Sequence, residues 1–81
     1  MERNELLKQI NVIFIDILDD EDLLINDLST AENVEEWDSL THIQLVVAIE
    51  KHFKIRFTSK EIQSWKNVGE MLDTISQKIL N

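Results

Sequence analysis

The sequence contains no cysteine, no proline and a single glycine, Gly69. Without cysteine there are no disulfides, no thiolate chemistry and none of the commonest structural zinc sites, a composition compatible with a reducing cytosol. Without proline, internal repeats or low-complexity runs, nothing marks a linker or a boundary, so residues 1–81 read as one domain. Basic residues are scarce as well: 8 Lys and Arg stand against 16 Asp and Glu, a formal net charge of −8. The phosphates of nucleic acids and of anionic membranes would be repelled, whereas a basic protein partner would be steered in. Long apolar runs are missing too. The opening MERNELLKQINVIFIDILDD places Glu2, Arg3, Glu5 and Lys8 within a polar-interrupted pattern, which fits neither a signal peptide nor a membrane span. A soluble, cytoplasmic, monomeric protein is expected, with no nucleic-acid partner and no membrane insertion.

What is present is helical periodicity. Leu6, Ile10, Ile13, Phe14 and Ile17 recur at spacings of three and four, widened by Leu7 and Leu18, and predict a helix ending near Leu18. Asp19, Asp20, Glu21 and Asp22 follow, where the helix dipole disfavours anions, and should stop it. The run has neither the glycine nor the oxygen-ligand spacing of a helix-loop-helix calcium site and reads as a solvated charge cluster. A connection of about twenty residues then reaches Asp38, unusually long for a small domain. Leu23, Leu24, Ile25, Leu28, Val34 and Trp37 are expected to pin it to the body.

Further on, Thr58 and Glu61 form a threonine-x-x-glutamate capping box opening a short helix with Ile62 and Trp65. Asn67 and Glu70 mark a second cap, and Val68, Met71, Leu72, Ile75 and Ile79 form one stripe of a last helix reaching about Leu80. The fold class is therefore all-α: a small four-helix bundle, three helices long and one short, with a long loop between the first two.

The segment EEWDSLTHIQLVVAIE carries the functional signal. Asp38 is a good cap residue, which makes Ser39 the first helical residue, its hydroxyl at the edge of the body beside amides that can receive a phosphate. At about 100° per residue, Leu45, Val46, Ile49 and Phe53 fall on one face. Leu40, Ile43 and Val47 fall on the other. Three apolar side chains beyond what one core contact needs mark a recognition surface, unless the long loop folds over them.

Other chemistry is poorly supported. Asp38, Ser39 and His42 invite comparison with a hydrolytic triad, but nothing supplies an oxyanion hole or a pocket; His42 is placed at the helix edge, against the loop or solvent. His42 and His52, roughly 15 Å apart along a helix, cannot share a metal, and no metal site is indicated. Trp37 and Trp65 read as core or loop anchors, Trp37 being the better placed to touch a partner, and Met71 reads as core.

An Asp38-Ser39-Leu40 triplet opening an apolar-rich helix, after a long loop and a first amphipathic helix and before Phe53, Ile55 and two further helices, resembles an acyl carrier protein over nearly the whole chain. The resemblance implies that Ser39 carries covalent 4′-phosphopantetheine, installed from coenzyme A by a phosphopantetheinyl transferase, with acyl groups held as thioesters on its terminal thiol. It implies no enzymatic activity in the body itself. Asp38 and Leu40 flank the attachment point, and Leu40, Ile43, Gln44, Val47, Glu50 and Trp37 become docking residues for acyl- or aminoacyl-ligases, synthases or acyltransferases. The docking helix of fatty-acid carriers is usually strongly acidic, whereas here Gln44, Lys51 and His52 surround a single Glu50. That wording is similar to specialised carriers of lipid, polyketide or polysaccharide-modifying pathways. A peptidyl or aminoacyl carrier, such as a D-alanyl-like one, would share the architecture; an unmodified helical interaction module would use the same stripe without Ser39 chemistry.

Overall fold

In the computed structural model, which describes residues 2–80, the apolar stripes close on one another as four helices: α1 (Arg3–Leu18), α2 (Ser39–Phe53), α3 (Ser59–Ser64) and α4 (Val68–Leu80). α1 packs against both α2 and α4. The ring of Phe14 in α1 meets Trp37 just before α2, and Gln9 Oε1 lies 2.9 Å from His52 Nε2 near the end of α2. These two contacts run in opposite chain directions, so α1 and α2 are antiparallel. Their seam is filled by Leu6, Ile10, Ile13, Phe14 and Leu18 from α1, with Leu45 and Ile49 from α2 and Val68, Met71, Leu72 and Ile75 from α4. Burying each of these side chains is worth roughly 1.5–3 kcal/mol, which is what holds so small a body together.

Each helix boundary has a local cause. α1 ends where Asp19 turns left-handed (φ 53°), a conformation aspartate tolerates better than most residues, and the acidic run continues into solvent. α3 opens on the expected box: Thr58 Oγ1 accepts from the Glu61 amide at 3.1 Å and Glu61 Oε1 accepts from the Thr58 amide at 2.8 Å. That amide, aided by Lys78 at 3.1 Å, holds the Glu61 carboxyl below its ordinary range. The cap of α4 uses Asn67 Oδ1, which accepts from the Glu70 amide at 2.9 Å.

The long loop is irregular but tied at three places. Asn11, midway along α1, accepts from the Ile25 amide at 2.8 Å and donates to the Leu23 carbonyl at 3.3 Å, acting as a short strand partner for the loop. The first amides of α4 donate to the loop, Val68 to the Ser29 carbonyl at 2.9 Å and Gly69 to the Asp27 carbonyl at 2.8 Å. A Cβ on Gly69 would lie 3.0 Å from that carbonyl oxygen, so the close approach is what the only glycine provides. Arg3 closes the seam: its guanidinium reaches Asp27 at 3.0 Å, Asp73 at 2.7 Å and the Gly69 carbonyl at 2.9 Å.

Of the six side chains expected to pin the loop, Ile25, Val34 and Trp37 are buried and Leu23 packs partly against the core. Leu24 and Leu28 do not: they are 84% and 78% exposed. Pairing with Asn11 turns residues 23 and 25 toward α1 and so sends Leu24 outward. Leu28 sits on a turn closed by its own amide on Asn26 Oδ1 at 2.8 Å.

Replacing Asn11 by Ala leaves the Ile25 amide without its partner, and thermal unfolding should show a loss of about 1 kcal/mol or more, against less than about 0.5 kcal/mol for exposed Val12→Ala.

Candidate functional site

The turn before α2 is built around three consecutive residues with different tasks. Trp37 is buried at 7% exposure, edge-on to Phe14 with ring centroids 5.1 Å apart, and its Nε1–H donates to His42 Nδ1 at 3.0 Å. Asp38 is extended and caps the helix: its Oδ1 accepts from the Thr41 amide at 2.9 Å. Thr41 Oγ1 in turn accepts from the Asp38 amide at 2.8 Å and donates to the Glu36 carbonyl at 2.9 Å. Hydrogen bonding from the Thr41 amide holds the Asp38 carboxyl below its usual range. Ser39 follows as the first helical residue, exposed, and its hydroxyl makes no hydrogen bond among the described residues.

Beside Ser39 lies a predominantly apolar cleft of about 510 Å³ between the start of α2 and the α3–α4 connection, lined by Trp37, His42, Ile62 and Trp65 with Lys66. Trp65 is fixed there by donating to Thr74 Oγ1 at 2.9 Å and by standing edge-on to Phe57. Asp38 and Ser39 line the same cleft. The first-turn amides are less available than the sequence implied. That of Thr41 is taken by Asp38 and that of His42 by the Asp38 carbonyl at 2.8 Å, so the mouth of α2 is already occupied by a carboxylate. A hydrolytic relay is equally ill served, because Asp38 serves the Thr41 amide and His42 Nδ1 accepts from Trp37.

Along α2 the second apolar stripe is uncovered: Leu40, Ile43 and Val47 are 66%, 61% and 42% exposed, while Leu45, Val46 and Ile49 are buried behind them. Gln44 is exposed on the same helix. Two residues expected beside them are engaged elsewhere. Trp37 belongs to the core and to the cleft wall, and Glu50 is half-buried with Oε2 accepting the Phe57 amide at 2.8 Å, which pins the α2–α3 connection. At the far end of α2, Lys51, Lys54 and Arg56 surround a shallow pocket of about 450 Å³ with Val47 and Ile55. Thr41, Ile62 and Lys66 were not anticipated at the site; an aspartate-x-x-threonine spacing at the head of α2 is the signal that marks Thr41.

The phosphopantetheine attachment site family matches residues 8–75. An acyl carrier protein of Thermosynechococcus vestitus is 30% identical over 80 residues, which span 98% of this chain and 98% of that one. The solution structure of a holo acyl carrier protein from Geobacter metallireducens is similar with a TM-score of 0.86 at 35% identity, covering 91% of this chain and 85% of its own. The chain belongs to the acyl carrier protein family.

As an acyl carrier protein it is a carrier and not an enzyme, and its cofactor is covalent 4′-phosphopantetheine. The residues present fit that group: an unengaged, exposed hydroxyl stands at a helix start, and the adjoining cleft is apolar enough to accept part of an arm. No helix among the described residues is long and apolar enough to cross a membrane. Partners of the family are synthases, transferases and the phosphopantetheinyl transferase.

Because Asp38 releases its proton more readily folded than unfolded, its contribution to stability is present at neutral pH and is lost as pH falls through the carboxylate range. Melting temperatures of the wild type and Asp38→Asn, measured between neutral pH and about pH 3, should therefore converge on acidification, the wild type losing more.

Proposed function

We propose that Ser39 is the attachment residue, and that residues 1–81 act as one monomeric, cytoplasmic carrier domain serving a specialised lipid, polyketide or polysaccharide-modifying pathway. The observation that carries the attachment is the free Ser39 hydroxyl, the only hydroxyl placed at the start of a long helix and beside the apolar cleft among the described residues. A phosphopantetheinyl transferase moves the phosphopantetheinyl group from coenzyme A to Ser39 Oγ as a phosphodiester; the arm supplies a thiol that holds acyl groups as thioesters. The body contributes placement. Asp38 and Thr41 fix where α2 begins, and Leu40, Ile43 and Val47 offer partners an apolar seat next to the arm.

The specialised pathway is supported by the charge along that seat. Carriers with an acidic docking helix suit basic partners, whereas here α2 presents Gln44 and then closes on Lys51, Lys54 and Arg56. Partners that accept a basic end of α2 differ in surface charge from those that read an acidic helix. Ligases, synthases or acyltransferases dedicated to one product fit such a surface. An aminoacyl cargo would be recognised by the same test that identifies an acyl one, mass analysis of the thioester-linked group on protein from the native host.

Incubation with a phosphopantetheinyl transferase and coenzyme A should add one phosphopantetheinyl mass to the wild type and none to Ser39→Ala. An unchanged wild-type mass with transferases of several specificities would leave the unmodified interaction module as the reading.

For docking, Ile43→Asp and Val47→Asp should lower the rate of loading by the transferase, read by intact mass over time. Both side chains face solvent, so their unfolding free energies should stay within about 0.5 kcal/mol of wild type.

A further inference from the structure

A phosphodiester on Ser39 carries a negative charge one residue from the Asp38 carboxylate. Of the amides at the start of α2, that of Thr41 is committed to the Asp38 carboxylate and that of His42 to the Asp38 carbonyl, which leaves fewer donors there for an anion. The cleft wall is the place for a further donor. Both indoles there are already spent, Trp37 on His42 and Trp65 on Thr74. Gln63 and Lys66 line the cleft as long, exposed side chains whose ordering carries an entropic cost.

His42 differs from these. It lies one turn beyond Ser39, and so on the same side of α2. The ring is half-buried, stacked on Trp37 at 5.9 Å with planes 25° apart and edge-on to Trp65 at 6.1 Å. Because the Trp37 indole donates to Nδ1, that nitrogen presents its lone pair, and the proton of the neutral ring belongs on Nε2. Nε2 has no hydrogen-bond partner among the described residues. Trp37 thus fixes both the orientation of the ring and the nitrogen that donates.

We propose that His42 is a phosphate-positioning residue, a neutral imidazole whose Nε2–H donates to a non-bridging oxygen of the phosphodiester on Ser39. It steers the arm toward the cleft and away from the Asp38 carboxylate. The proposal rests on Ser39 being the attachment residue. His52 provides an internal control: it is at the opposite end of α2, with its Nε2 2.9 Å from Gln9 Oε1.

The test is nitrogen-15 and phosphorus-31 NMR on the whole protein, before and after loading by a transferase with coenzyme A, at about pH 8. In the unloaded protein His42 should show the Nε2-protonated pattern. Loading should shift the His42 Nε2 and Hε1 resonances and slow exchange of the Nε2 proton, leaving the His52 ring unchanged. The phosphorus resonance of loaded His42→Leu should be displaced from that of the wild type, and His42→Gln, which keeps a donor, should lie closer to wild type. An Nδ1-protonated ring before loading, or a His42 ring indifferent to a phosphopantetheinyl group that intact mass places on Ser39, overturns the proposal. Loading that persists in Ser39→Ala overturns the attachment reading itself, and the two failures are told apart by mass.

Discussion

The reciprocal bond between Asp38 and Thr41 sets the terms for everything at the working end of this carrier. It decides the residue at which α2 starts, and through that start it decides which way each side chain of the helix points. With the cap at Asp38, Ser39 stands outside, Leu45 and Ile49 enter the core, and Leu40, Ile43 and Val47 face solvent. Shifting the start by one residue would rotate the pattern by about 100°, turning the serine and the apolar stripe away from their places. Trp37 makes such a shift costly, because its ring is held from below by Phe14 and from the side by His42. A polar cap and a buried indole therefore specify one register between them.

The long loop is the second structural problem, and its solution is polar. Ordering twenty irregular residues costs about 1–2 kcal/mol each in backbone entropy, and only Ile25, Val34 and Trp37 repay this by full burial. The remainder comes from groups that are satisfied at both ends. Asn11 pairs with the loop from α1, the amides of Val68 and Gly69 pair with it from α4, and Arg3 joins the three segments. Most of these bonds satisfy a backbone group of the loop or of α4 that would otherwise need water. The bare Cα of Gly69 lets loop and helix approach closely enough for this exchange.

Periodicity and capping chemistry make the helices readable in the sequence. The end of α1 at Leu18, the start of α2 at Ser39, the box at Thr58 and the stripe of α4 all follow from local spacing, and the structure places them where that spacing puts them. The exposed hydroxyl of Ser39 at the start of α2 is legible for the same reason: a cap residue, a hydroxyl and an apolar helix stand adjacent in the chain. What spacing does not encode is pairing across long separations. Arg3 meets partners 24, 66 and 70 residues away, and nothing about an arginine in a first turn announces that. Leu24 and Leu28 were misplaced because hydrophobicity alone does not say which way an irregular strand alternates; Asn11 decides it. Glu50 likewise reads as a surface charge by its spacing, whereas its carboxylate accepts the Phe57 amide.

The charges of this protein are sorted as well as numerous. Since α1 and α2 run antiparallel, the acids of residues 19–22 come to the same pole as Glu35, Glu36 and Asp38, while Lys51, Lys54 and Arg56 gather at the other. A gradient of charge thus runs along α2, with Ser39 at its more negative end. A body carrying the reverse polarity would feel a torque before it felt a contact, and would arrive already turned along α2.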